Sequence, residues 1–347
     1  MGPKVLSPLF PWLILLTPLL PATQTNPQFT LVQSLQWPLG PRPRPHTHVR
    51  RELPVSPKLV ELLEEQHGNI GFVGDSLNEN MLVSFLCLLR VAEKWKRKGA
   101  WRGAYFPKFN VAVGYHRAVL LAKYEWEPKQ HTDGDQDGLK GIYQVDVDIP
   151  SDDWANIRDF YDVLVFNTGH WWGFDKFPKE TPLTFYRAGE PIYPPLDILS
   201  GFKVVVENMA SYIQNKVPLK TLKFWRLQSP RHFHGGDWNQ NGSCLFNKPL
   251  EEQQLDLWFD PSNNGPNKEE RLLNRLIEDA LQGTDIQLLN LTRLSEFRAD
   301  AHPAIWLGQK DAVKVWGQDC MHWCLPGVPD TWVDILSQLI RIGLEMQ

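Results

Sequence analysis

"IGFVGDSLNENM", residues 70–81, decides how this chain is read. An apolar run, Ile70 to Val73, meets Gly74-Asp75-Ser76, and a helical pattern starts at once. Leu77, Met81, Phe85 and Leu88 then recur at helical spacing through "LNENMLVSFLCLLR". A buried strand that ends where a helix begins places Ser76 among backbone N–H groups that lack helical acceptors and carry partial positive charge. A hydroxyl there can face a ligand while its own N–H faces a developing oxyanion. Serine and aspartate are also preferred N-caps, a role without chemistry. The stretch alone leaves both readings open.

Outward from it, strand-like and helix-like patterns alternate. "YDVLVFN" (161–167), "LKFWRLQ" (222–228) and "IQLLNLT" (286–292) read as further apolar strands. "KEERLLNRLIEDALQG" (268–283) reads as an amphipathic helix ended by Gly283, and "TWVDILSQLIRIGLEMQ" (331–347) as a closing helix. Such alternation predicts an α/β domain over 58–347 whose mostly parallel sheet is covered on both faces. Ligands of such sheets bind beyond the carboxyl ends of the strands. Ser76, Asn167 and Ser229 all fall at such ends.

A serine nucleophile needs a base, and the base needs an orienting carboxylate. "WGQDCMHWCLPGVPDTW" (316–332) offers both, Asp319 and His322, on a loop before the last helix. A D-x-x-H turn can bring the carboxylate to one imidazole nitrogen and leave the other free for the serine. The plainer alternative makes Asp319 a turn cap and His322 a packed polar residue.

Composition bounds the partners. The 347 residues are 42% hydrophobic and 22% charged, with a net charge of −4, an ordinary globular balance that argues against nucleic acid. The basic run "KWKRKGAWR" (94–102) reads as a solvated face. The 15 tryptophans favour a carbohydrate ligand, because aromatic faces stack on sugar rings. At the N-terminus, Lys4 precedes "VLSPLFPWLILLTPLLPA" and polar "TQTNPQ", the pattern of a signal peptide or signal anchor over 1–22. A Pro/Arg-rich linker follows over 23–57. Sequons at Asn241 and Asn290 fit a lumenal fate.

"GDSL", "FNTGHWW" (166–172), "FWRLQSPRHFHGGDWNQNGSC" (224–244) and "DCMHWCLPGVPDTW" (319–332) occur in that order. From about residue 66 onward the chain closely resembles the trichome birefringence-like family of land plants. The resemblance implies a three-layer α/β/α SGNH-hydrolase-like domain, of the GDSL/SGNH-like PC-esterase kind. It implies a Golgi-membrane enzyme with a lumenal catalytic domain and an N-terminal tether. Such an enzyme O-acetylates cell-wall polysaccharides, notably xylan, using acetyl-CoA or a similar donor as co-substrate and no bound cofactor. It implies Ser76 as nucleophile, His322 as general base and then acid, and Asp319 as its orienter. The oxyanion hole would draw on the Ser76 N–H and Asn167.

The resemblance also implies a Cys244–Cys320 disulfide, where the four cysteines by themselves allow three pairings. Two departures stand out. The family carries a cysteine-rich lobe ahead of this domain, whose cysteines the resemblance makes the partners of those matching Cys87 and Cys324; here that position is proline-rich, leaving these two unpaired or joined to each other. Glu79 stands where the family often has arginine.

Other residues have two readings each. Trp171, Trp172 and Trp238 could line a glycan groove or fill the core. His170 could shape the site or make a structural hydrogen bond. Arg226 and Arg231 could meet a donor phosphate or pair with carboxylates. His232, His234 and Asp237 superficially form a metal set, but no further ligand spacing supports it. A zinc site at Cys320 and Cys324 would consume His322 and lacks a partner pair, so no metal is expected. Asp300 and His302 form a rival D-x-H pair, assigned to loop architecture or acceptor contact.

Overall fold

The computed structural model describes residues 57–65, 68–89, 94–98, 101–130, 138–263, 265–304 and 318–346. All of them lie within one unit, His48–Gln347. The signal segment and most of the linker expected from sequence lie outside the described residues.

The strand opening the sequence reading is β1 (Ile70–Gly74), with every residue buried. After α1 (Pro57–Glu65) and β1, the chain enters α2 (Ser76–Leu89). It then lays down β2 (Lys94–Lys98), β3 (Trp101–Phe106), β4 (Val111–Arg117), β5 (Ala122–Pro128) and β6 (Gly141–Pro150). Next come β7 (Val163–Phe166), β8 (Leu183–Arg187), β9 (Glu190–Pro191), α3 (Ile198–Lys216) and β10 (Leu222–Arg226). The last part holds α4 (Glu252–Phe259), α5 (Glu269–Leu281), β11 (Gln287–Leu289), α6 (Thr292–Glu296) and α7 (Val328–Glu345).

The main sheet runs β11-β10-β7-β1-β4-β3-β2. Its first five strands are parallel, and β3 and β2 extend it antiparallel. Successive residues of each central strand face opposite cores. Phe72, Val163, Val165 and Phe224 join the side covered by α1, α2 and α7, with Leu77, Met81 and Phe85 against Trp332, Leu336 and Ile340. Val73, Leu164, Phe166 and Trp225 join the other side, covered by α3 and α5 through Phe202, Val206, Met209 and Ile277. Burial on both faces is why these strands read as continuous apolar runs. Each large side chain so buried contributes about 1.5–3 kcal/mol.

The structure departs from expectation between 94 and 150. No strand was anticipated there, yet it supplies five. β5, β6, β8 and β9 form a second sheet, whose Val145, Val147, Leu183 and Phe185 join the core with α3. The basic run is not simply a solvated face. Lys94–Lys98 is the lysine-rich edge strand of the main sheet, a composition that discourages further pairing. Arg102, at its end, is buried against Glu79.

Candidate active site

β1 and β7 run in register, Val73 beside Phe166, so their carboxyl ends meet at Gly74 and Asn167. Asp75, rather than Ser76, caps α2: its Oδ1 accepts the Leu77 N–H at 3.0 Å. That assignment frees the Ser76 hydroxyl. Asn167 holds the cap from behind, accepting the Asp75 N–H at 3.1 Å and donating Nδ2–H to Asp75 Oδ1 at 2.7 Å. Both heads of the Asn167 amide thus engage Asp75, and the residue is fully buried. Nδ2 keeps a second hydrogen, and the helix offers no acceptor to the Ser76 N–H.

The late loop brings the remaining groups. Asp319 forms a two-way bridge with Ala304, both bonds at 2.9 Å. Its Oδ1 accepts the backbone N–H groups of Met321 at 3.2 Å and His322 at 3.0 Å, curling the turn around the carboxylate. His322 Nδ1–H donates to Asp319 Oδ2 at 3.0 Å, which leaves Nε2 to accept from the Ser76 hydroxyl at 2.8 Å. Hydroxyl, imidazole and carboxylate therefore form one continuous hydrogen-bonded chain across 246 residues of sequence.

Electrostatics fits that chain. Burial works against an ionised Asp319, but the His322 charge, its ring hydrogen bond and the two backbone donors hold the carboxyl well below the usual range. Burial also disfavours the imidazolium, yet the Asp319 charge and hydrogen bond, helped by Asp75, hold His322 above its ordinary 6.5. Lys176 pulls in the opposite direction.

Asn80 was not singled out from sequence, though it sits one helical turn after Ser76 on the same face. It accepts the Trp323 N–H at 2.8 Å and donates to the Trp323 carbonyl at 3.3 Å. It thereby clamps the residue after His322 to the helix that carries Ser76. The disulfide Cys244–Cys320 fastens the same turn to the 243–246 loop, and the His232 N–H donates to the Cys320 carbonyl at 3.0 Å. Cys87 and Cys324 are both free thiols and not joined to each other.

The other expected site residues divide. Trp238 is half-buried, with its indole N–H on Asp175 Oδ2 at 2.8 Å and the Lys176 ammonium 4.3 Å from its ring centre. Trp171 is half-buried under the Arg117 guanidinium at 5.0 Å. Trp172 belongs to the core, stacked with Phe185 and donating to Thr168 Oγ1 at 2.9 Å. Buried there, it does not line a substrate groove.

Arg226, expected to meet a donor phosphate or a carboxylate, instead lies inside the core: it is 0% exposed, lies 4.7 Å from the Trp332 ring and donates to Ser229 Oγ at 2.9 Å, so no substrate phosphate reaches it. Burial pulls its guanidinium down to about 10, with Asp75 opposing. Ser229 likewise faces inward, accepting also from Trp323 Nε1 at 3.3 Å. Arg231 pairs with Asp237 and Glu269. His170 is half-buried, and burial, then the charges of Arg231, Arg226, His322 and Lys176, hold it well below its ordinary range.

His232 bonds the His302 ring, His234 stacks on Trp258, and Asp237 is taken by Arg231. No group of three or more metal-ligating side chains converges among the described residues.

Residues 58–339 match the PC-esterase family, described as a GDSL/SGNH-like acyl-esterase family found in Pmr5 and Cas1p. In Arabidopsis thaliana, protein trichome birefringence-like 12 is 72% identical over 283 residues, which are 80% of this chain and 70% of that protein. The chain is a member of the trichome birefringence-like family. Protein trichome birefringence-like 13 is 42% identical over 293 residues, 82% of this chain and 70% of its own length. Protein trichome birefringence-like 1 is 31% identical over 308 residues, which are 83% of this chain and 51% of that protein. The trichome birefringence-like assignment places this α/β domain among GDSL-like acyl esterases, and the matched range encloses Ser76, Asp319 and His322 alike. No described helix is long and apolar enough to cross a membrane.

Proposed function

We propose that the protein is an O-acetyltransferase that carries an acetyl group through an acetyl-serine to a hydroxyl of a cell-wall polysaccharide, xylan or a related glycan. The observation carrying this reading is the unbroken chain from Ser76 Oγ through His322 to Asp319, at 2.8 and 3.0 Å. His322 Nε2 takes the hydroxyl proton as Ser76 attacks the acetyl carbonyl of acetyl-CoA or a similar donor. The resulting oxyanion sits at the N-terminus of α2, where the Ser76 N–H and the spare Asn167 hydrogen stabilise it. Collapse expels the donor's leaving group, protonated by His322. The acceptor hydroxyl then gives its proton to His322 and attacks the acetyl-serine, and His322 returns a proton to Ser76.

Half-buried Trp171 and Trp238 offer aromatic faces to a sugar and help exclude water, the competing acceptor. On this reading the protein works on the lumenal face of the Golgi membrane through an N-terminal tether, with secretion as the alternative.

Purified full-length protein incubated with a labelled acetyl donor and xylan oligosaccharides tests the reading. The expected result is acetylated oligosaccharide that disappears with Ser76→Ala. Release of acetate from acetylated xylan without any transfer would replace the transferase with an esterase using the same triad. Glycan binding without turnover, unchanged by Ser76→Ala, would remove catalysis altogether.

A further inference from the structure

Behind the triad lies a second chain of imidazoles. His302 Nδ1 is 2.7 Å from the main-chain oxygen of His322. His302 Nε2 is 2.7 Å from His232 Nδ1, and His232 Nε2 is 2.8 Å from the Glu296 carbonyl. Both rings are buried, and His302 lies 4.2 Å from the Trp323 ring, next to the catalytic imidazole in sequence.

Counting protons makes the arrangement informative. A carbonyl oxygen only accepts, so both outer nitrogens must carry hydrogen. The inner N···N contact needs a third. Two neutral imidazoles carry only two, and every neutral arrangement sets two lone pairs against each other at 2.7 or 2.8 Å.

The surroundings act in both directions. Burial outweighs the raising effects of the His322 carbonyl, Asp319 and Asp300 on His302 and, with the His322 charge, holds it at about 4. Burial and the His302 charge likewise hold His232 well below its ordinary range against the Glu296 carbonyl, so it is the hydrogen-bond geometry alone that favours a third proton. Asp300 is shared with Arg298, and the Glu296 carboxylate is held by Arg271 and Arg293. From α4, rings rather than charges face His232, those of Trp258 and Phe259. Hydrogen bonds from a cation are roughly twice as strong as neutral ones, and a shared proton gives this chain three donors for three acceptors.

We propose that His302 and His232 share three N–H protons and act as one positioning unit, holding the His322 main chain at the angle from which its ring reaches Ser76. His302 is a positioning residue, since it touches His322 and not the reacting atoms. Only the catalytic consequence rests on acyl transfer at Ser76; the proton count stands on geometry alone.

The full-length protein with 15N-labelled histidine tests the count at pH 7, its imidazole signals assigned with His302→Asn and His232→Asn. Three protonated nitrogens in the pair are expected, and two overturn the proposal. A fluorophosphonate that labels activated serines tests positioning without any acyl donor. His302→Phe keeps a ring on Trp323 and is expected to slow labelling at least tenfold. His302→Asn, whose amide replaces Nδ1, should recover most of the rate; His302→Gln, whose amide replaces Nε2 instead, should not. Equal rates for Asn and Gln overturn the proposal, and that comparison decides the matter if the Phe variant melts early. If Ser76→Ala labels like the parent protein, the acyl-transfer reading fails instead, while the proton count still judges the pair.

Discussion

Glu79 on α2, one turn beyond the nucleophile, forms a buried ion pair with Arg102 on β3, their side chains 6% and 9% exposed. The carboxylate that departs from the family's usual arginine therefore brings no uncompensated charge to the nucleophile helix. Removing one member of such a pair leaves the other charged and desolvated, at a cost of about 3–5 kcal/mol. Glu79→Gln and Arg102→Met should each lower unfolding stability by that order in urea titrations. The double variant should lose clearly less than their sum. Additive losses would mean that the two side chains do not interact.

The pH response of the triad follows from its two shifts. His322 lies above 6.5, so its ring becomes a base only as pH rises through that raised value. Ser76 labelling should therefore climb through a single ionisation above 6.5 and stay high in mild alkali. Stability runs the other way for this group, being fully present below 6.5 and lost as pH rises through the folded value. Asp319 lies below 3.8, so its contribution is present above 3.8 and lost as pH falls through its folded value. Asp319→Asn removes the main cause of the raised imidazole value. The rate should drop by about 10⁴-fold, and the remaining ionisation should shift to lower pH. An ionisation that stays in place would show that another group sets it.

Much of this site is legible in sequence because its determinants are local. A buried run, a break at Gly74 and helical spacing from Leu77 place Ser76 at a helix start without knowledge of any partner. The D-x-x-H spacing likewise fits one turn. Other roles depend on contacts distant in sequence. Arg226 sits in the apolar run "LKFWRLQ", and nothing nearby reveals that Ser229, Trp332 and the Asp75 charge surround it. Trp171 and Trp172 are adjacent, but opposite facing sends one toward Arg117 and the other into the core. β6, "GIYQVDVDIP", alternates polar and apolar residues and so lacks the continuous apolar signal of β1, whereas the mostly apolar β4, "VAVGYHR", was legible as a strand and was missed.

Gly74 is a stringent test of the nucleophile turn. Its φ is +142°, and an added Cβ would fall 2.1 Å from Asn167 Oδ1 and 2.2 Å from the Asn167 carbonyl oxygen. The backbone neighbour cannot rotate away. Gly74→Ala should cost at least about 3 kcal/mol from the strained backbone and the overlap together. It should also abolish Ser76 labelling in whatever fraction remains folded. A stable, fully labelled variant would mean that the turn adopts another shape in solution.

The Cys244–Cys320 bond closes a loop of 76 residues and anchors the turn that carries Asp319 and His322. Loop closure of that size stabilises by about 4.5 kcal/mol on the chain-entropy argument, with about 2–4 kcal/mol typical in practice. The turn retains other tethers without the bond, namely the Asp319–Ala304 bridge and the Asn80–Trp323 clamp. Cys244→Ser/Cys320→Ser should therefore melt earlier, by a few degrees, while still folding. Its Ser76 labelling should fall more at 37 °C than at 15 °C, because the freed turn samples positions out of hydrogen-bond reach as temperature rises. Equal losses at both temperatures would assign the disulfide to global stability and not to holding His322 in place.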